Sequence, residues 1–296
     1  MHNGAAVHLT QPYSQVRAAN VDGVRTILHL AGAGRLKPVA FVSTVGLFDT
    51  PELENLPAIT ETDGPVEPGL LPNGYTQSKW AGERLVEMAA GKGVPAATLR
   101  VGHVIGHGVS EDLAARLAQA SFYSTSVPRI EKPIDYVSPD YVASAIVRIP
   151  RRLETFGGIY HVVNPEPFDQ SDLELLLPFV PREITLVTRD VWLAELREAA
   201  RADTDHPLFV ALDALGDPDR PMETSFVEQI LNRPRIDCAR TLEAVGNLGV
   251  KSRPARDVLV DVLIGMPQLA EVFAGVDLER AAQDAKAASA AKAAAG

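Results

Sequence analysis

Pro38-Val39-Ala40-Phe41-Val42-Ser43 is an unbroken apolar run that ends on a hydroxyl, and two runs of the same kind follow it: Val94 to Arg100 (VPAATLR) and Gly158 to Val163 (GIYHVV). Short apolar runs without polar alternation are the pattern of parallel strands covered on both faces. Helical periodicity lies between them. Ser14 to Ala33 gathers Val16, Val21, Val24, Ile27, Leu28 and Ala31 near one face, and Tyr75 to Ala90 gathers Trp80, Leu85 and Met88. Ser138-Pro139-Asp140 reads as an N-cap with proline at the first helical position, opening a helix over Asp140 to Ile149 that feeds the Gly158 strand. Strand and helix in alternation predict an α/β, doubly wound, Rossmann-like parallel sheet, with its sites at the carboxyl ends of the strands.

Past Asn164 the pattern becomes mostly helical and broken by proline, as in Asp169 to Leu177, Asp190 to Arg201 and Ala255 to Ile264. The chain is therefore expected to divide into a partial Rossmann domain over 1–164, a smaller cap over 165–280 that binds substrate, and an alanine-rich tail over 281–296. Alanine favours helix without supplying a face to bury, so the tail is expected to be dispensable.

With 46% hydrophobic and 22% charged residues among 296, the composition is that of a globular protein, and no apolar run reaches the length of about 20 residues that spans a bilayer. A formal charge of −10 with scattered cations repels a phosphate backbone, so nucleic acid is not an expected partner. One cysteine, Cys238, cannot form an internal disulfide, and the first residues lack the basic stretch and apolar core of a signal sequence, so none is expected. The expected compartment is cytoplasmic.

The strongest chemical signal is Tyr75-Thr76-Gln77-Ser78-Lys79, which puts a phenol and an ammonium on one helical face. An ammonium beside a phenol favours the phenolate, so the pair is expected to exchange a proton near neutral pH. Upstream, Ser43-Thr44 places hydroxyls at a strand's carboxyl end, where a second donor to a carbonyl is useful.

This strand-Ser-Thr, the Tyr-x-x-x-Lys and the later Arg100-Val101-Gly102-His103-Val104-Ile105-Gly106 together resemble the extended short-chain dehydrogenases/reductases, and within them the thioester reductase group. His2 to Ala5, Ala19 to Val21, Val42 to Val45, Gly74 to Arg84, Asp135 to Ala145, Tyr160 to Pro165 and Asp237 to Leu242 extend the likeness through nearly the whole chain. Members of that group use NADP(H) to release an acyl or peptidyl chain from a carrier protein's phosphopantetheine thioester as an aldehyde, in some cases then as an alcohol. The resemblance implies that Tyr75 donates the proton, that Lys79 holds Tyr75 acidic and bonds the nicotinamide ribose, and that Thr44 polarises the thioester carbonyl. It implies a cofactor wall of Asn3, Gly4 and Ala5, braced by Asn20, with Ser43 at the strand end and Gly102, His103 and Val104 facing the nicotinamide amide.

A nucleotide-binding domain of this family begins with a strand, a Gly-rich turn and a helix whose N-terminus carries the pyrophosphate, and these 296 residues contain no such turn. The likeness starts near His2, which in relatives follows the fourth strand. The expectation is a fragment, a misassigned start or one half of a split protein, with an apolar sheet edge left open and weak NADPH binding by itself. Two other readings use the same residues: an extended reductase or epimerase acting on a free small molecule or nucleotide sugar, and a non-catalytic scaffold. His103 and His107, four apart among glycines, read as a loop rather than a metal site. His161 reads as a packed or backbone-bonded strand residue, Cys238 as a small core residue, and the acidic Glu52, Glu54, Glu61, Asp63 and Glu67 as a solvated loop.

Overall fold

The computed structural model describes residues 1–8, 10–106, 125–180, 183–203, 231–246 and 249–265, with positions 280, 283, 284 and 287. His107 and nearly all of the alanine-rich tail lie outside the described residues.

The first half runs through helices α1 (Tyr13–Arg17) and α2 (Gly23–Gly32), strands β1 (Val39–Thr44) and β2 (Ala58–Ile59), helix α3 (Gly74–Ala90) and strands β3 (Ala96–Val101) and β4 (His103–Val104). It continues with β5 (Ser126–Pro128), β6 (Tyr136–Val137), α4 (Pro139–Arg148) and β7 (Ile159–Val162). The later part comprises α5 (Gln170–Leu176), β8 (Thr185–Val187), α6 (Arg189–Ala202), β9 (Arg235–Ile236), α7 (Ala239–Gly246) and α8 (Ala255–Ile264).

The three apolar runs form one parallel sheet in the order β1-β3-β7, with Val39 opposite Ala96 and Thr44 opposite Val101. Successive side chains of a strand point to opposite faces. Ala40 and Val42 accordingly face a core built with Tyr141, Ala145 and Ile146 of α4, whereas Phe41 faces Val24 of α2 and Val86 of α3. Helices thus cover both faces of the sheet, the doubly wound arrangement. On the outer edge of β1, His2 forms a parallel bridge with Phe41: its N–H donates to Ala40 O at 2.8 Å and its O accepts from Val42 N at 3.0 Å. One edge of β1 is therefore partly taken up by the chain's own first residues.

Ser138 caps α4, accepting from Tyr141 N at 3.4 Å with Pro139 at the first turn. The helical stretch before β1 is not uniform: Ala18–Asp22 is a wide π-helical segment between α1 and α2. α3 also departs from its expected face. Met88 is exposed, and the buried stripe is Lys79, Gly82, Glu83 and Val86, because the charges on it find partners beneath. Gly82 lets the helix descend onto the sheet, since a Cβ there would stand 2.8 Å from Phe41 Cζ.

The residues after Asn164 fold back onto the first half, adding strands to small two-stranded sheets and side chains to its core. β9 pairs with β2, β8 with β5, and Ala244 and Val245 of α7 sit in the same core as Tyr160 and Val162. Glu61 explains how α7 docks: its buried carboxylate accepts from Thr241 N and Oγ1, Arg240 N and His161 N, at 2.8 to 3.0 Å. A solvated role for Glu61 is thus corrected, because the orphan N–H groups of a helix start demand such an acceptor.

Candidate active site

β1 ends on Thr44, which is also the N-cap of a 3₁₀ turn over Val45–Phe48; its Oγ1 accepts from Gly46 N at 3.0 Å. α3 begins alongside. Asn73 caps it, accepting from Thr76 N at 2.9 Å, and Gly74 lets the backbone of Gln11 to Tyr13 cross at a distance where a Cβ would meet Tyr13 N at 2.3 Å. That close approach fixes where the first turn of α3, and hence Tyr75, lies relative to the sheet.

Tyr75 is half-buried, and its phenol is near enough to the Thr44 side chain for Thr44 to draw its pKa down. Lys79, 4% exposed, reaches under it: Nζ donates to Val42 O at 2.8 Å and sits 5.1 Å from the Phe41 ring centroid and 6.0 Å from that of Tyr75. Burial pushes the Tyr75 phenol up to about 12, against the opposing pull of the Thr44 side chain. Burial likewise brings the Lys79 ammonium down to about 8, with the Glu83 carboxylate pulling the other way. The expected acidification of Tyr75 by Lys79 is therefore corrected: desolvation outweighs the ammonium at this distance. The phenol keeps its proton, which is the form an acid needs.

Three donors on an ammonium and one carbonyl leave Lys79 with two N–H groups unspent among the described residues. Ser43 Oγ and His2 Nε2, both buried, also have no hydrogen-bond partner among the described residues. This under-satisfied polar rim matches the hydroxyls of a nicotinamide ribose, so the residues present fit that end of the cofactor.

Asn20 projects from the π-helical segment. Its Oδ1 accepts from Ala6 N at 2.7 Å, and its Nδ2 donates to Ala6 O at 2.9 Å and Ser78 Oγ at 2.8 Å. One side chain thus ties the turn after Asn3, Gly4 and Ala5 to α3. Gly102 follows β3 with its N–H on Val162 O at 3.1 Å, and a Cβ there would stand 2.1 Å from Asp135 Oδ2. His103 Nδ1 lies 3.2 Å from Asp135 Oδ1, and Val104 pairs with Val137.

Two buried networks surround this rim. Arg100, fully buried, forms a bidentate pair with Glu83 at 3.0 and 2.9 Å and reaches His161 Nε2 at 3.3 Å. His161 Nδ1 lies 2.9 Å from Asp237 O, and burial holds the imidazole down to about 4, so it is neutral and accepts from Arg100. Cys238 packs in a small core with Val45 and Ile236, its thiol pushed up to about 12 by burial. In the second network Arg233 joins Asp49 and Asp135. Sequence reasoning assigns these three no role, and no spacing signals them, since Arg233 and Asp49 are 184 positions apart.

The family model described as Male sterility protein matches residues 1–146. A linear gramicidin synthase of Brevibacillus parabrevis is 33% identical over 205 residues, which are 68% of this chain and 4% of that protein. The non-canonical nonribosomal peptide synthetase FrzA of a Cladobotryum species is 30% identical over 257 residues, 83% of this chain and 25% of that one. The chain thus spans a quarter or less of the length of these relatives. Among solved structures, the terminal R domain from the myxalamid PKS-NRPS biosynthetic pathway superposes with a TM-score of 0.77 at 31% identity, over 91% of this chain and 67% of that one. Sequence motifs, sheet topology and these likenesses agree, and the chain belongs to the thioester reductase group of the extended short-chain dehydrogenases/reductases, the family of synthetase terminal R domains.

Proposed function

We propose that this chain reduces a carrier-bound acyl or peptidyl thioester to an aldehyde, with NADPH as the reductant. The observation that carries the reading is the neighbouring Thr44 and Tyr75 side chains, with Lys79 buried beneath them, at the carboxyl end of β1. NADPH, when bound, supplies the hydride. As negative charge grows on the thioester oxygen, the Thr44 and Tyr75 hydroxyls donate to it in a site shielded from water, where fixed donors are worth most. Tyr75 gives up its proton to that oxygen; the C–S bond of the thiohemiacetal then breaks, and the thiol and aldehyde leave.

Lys79 serves twice in this reading. Its charge compensates the phenolate left on Tyr75, and its two unspent N–H donors hold the nicotinamide ribose. Asn3, Gly4, Ala5, Asn20 and Ser43 form one cofactor wall, and Gly102, His103 and Val104 the other. The cap over 165–280 receives the acyl chain and the carrier arm, with 281–296 as a tail outside it. Similarity to a terminal R domain of a PKS-NRPS pathway supports a substrate delivered on a carrier. Among the described residues no helix is long and apolar enough to cross a membrane, and a cytoplasmic setting fits a carrier-borne substrate.

The test is to supply NADPH with an acyl-phosphopantetheine thioester and trap the aldehyde as an oxime. Equimolar NADPH loss and oxime formation are expected. Oxidation of NADPH only with free ketones or sugar nucleotides would replace this reading with the small-molecule one.

A further inference from the structure

We propose that Arg233 is a positioning residue: it locks the segment leading into β9 onto the turn that holds Thr44 and onto the Gly102–Val104 loop of the cofactor wall. The role in catalysis rests on the site reading above. The contacts themselves do not. Arg233 Nε donates to Asp49 Oδ1 at 2.5 Å and Nη2 to Asp49 Oδ2 at 2.8 Å, while Nη1 donates to Asp135 Oδ1 at 3.2 Å. The Arg233 and Asp49 side chains are 4% and 1% exposed, so the fork is sealed from water.

Each carboxylate belongs to a different loop. Asp49 closes the turn that Thr44 opens: its N–H donates to Gly46 O at 3.3 Å, and Gly46 in turn donates to Thr44 Oγ1. A Cβ on Gly46 would stand 3.3 Å from Thr44 Oγ1 and 3.4 Å from Asp49 Oδ2, so the carboxylate packs against the turn that holds the Thr44 hydroxyl. Asp135 shares its Oδ1 with His103 Nδ1, and its Oδ2 presses on Gly102. β1 and β3 are paired neighbours with Thr44 opposite Val101, so the two loops emerge side by side. One guanidinium therefore grips the Thr44 turn with one edge and the Gly102–Val104 loop with another.

The chemistry requires arginine. Two carboxylates drawn toward one buried point repel unless a cation sits between them, and only a planar fork serves one bidentately while reaching the second. Releasing it would let the Thr44 turn and the loop after β3 drift apart, and misplacement on the scale of an ångström slows a reaction by up to about 10²-fold. The cap segment becomes a condition for a correctly spaced site.

The experiment compares the full chain with Arg233→Lys, which keeps the charge, and Arg233→Gln, which removes it. Two readouts are used: thioester reduction per folded molecule, and backbone hydrogen exchange. In Arg233→Lys, kcat is expected to fall about 10-fold or more, a larger change than any rise in KM for NADPH that a looser Gly102–Val104 wall brings, a misplacement signature. In both variants the amides of Val45 to Asp49 and of Gly102 to Val104 should exchange faster together, while the centre of β3 stays protected. Should Arg233→Gln not fold, Arg233→Lys alone decides. Unchanged kcat per folded molecule, or faster exchange confined to the neighbourhood of β9, overturns the proposal. A wild-type chain that reduces no thioester while both loops still loosen together would overturn the site reading and the catalytic role, yet leave the clamp standing.

Discussion

α3 carries two buried charge systems one helical turn apart, and they are built in opposite ways. At Glu83 the carboxylate and the Arg100 guanidinium satisfy each other in a bidentate pair, and a neutral imidazole and a backbone carbonyl take the rest. At Lys79 an ammonium is buried on a single carbonyl, and a serine hydroxyl and an imidazole nitrogen nearby are left without partners among the described residues. A charge kept for stability is paired until nothing remains to bond. A charge kept for chemistry is left short, so that what arrives can complete it.

The sharpest way to break this contrast is Glu83→Ala, which strands Arg100 in the core. A loss of about 3–5 kcal/mol in urea unfolding is expected, the cost of an uncompensated buried charge. A loss below about 1 kcal/mol would mean that the Arg100 pair is not structural. Next in size, Tyr75→Phe should lower turnover by about 10²-fold or more while leaving the unfolding midpoint nearly unchanged; equal aldehyde output would remove the phenol from the reaction.

Lys79→Met tests the other arm through pH. The folded ammonium releases its proton near pH 8, below its ordinary value of 10.5. Between those values the unfolded chain holds more protons, so the contribution of this site to stability rises with pH across the window. Replacing Lys79 by Met should flatten that rise, and an unchanged profile of unfolding free energy against pH would place the lysine in water. The smallest effect belongs to an exposed pair on the same helix. Glu87→Gln, which removes the partner of Arg84, should change stability by less than about 0.5 kcal/mol.

What sequence reveals of this molecule follows the length scale of each interaction. β1, β3 and β7 are legible because a parallel strand buried on both faces writes its burial into consecutive residues. The pairings of β2, β4, β5, β6, β8 and β9 are not, since two or three residues carry no period. Tyr75 and Lys79 stand out through a spacing local to one turn, and Thr44 through its place after an apolar run. Their shared desolvation escapes notice, because burial is set by the loops above them, and the phenol's expected shift accordingly takes the wrong sign. The buried stripe of α3 is hidden for a related reason: Lys79 and Glu83 look solvated until Val42, Arg100 and Phe41 are brought beneath them. Arg233, Asp49 and Asp135 meet only once the chain has closed on itself, so no window of sequence contains their clamp.

The wide turn at Ala18–Asp22 gives Asn20 its reach. A π-helical turn holds one residue more than an α-helical one, and that surplus residue sets the direction of every side chain after it. Removing a residue here would regularise the helix and strengthen its hydrogen bonding, yet swing Asn20 about 100° around the axis. The turn after Ala5 would then lose its hold on Ser78, and a locally better helix would leave a looser floor under the cofactor site proposed above.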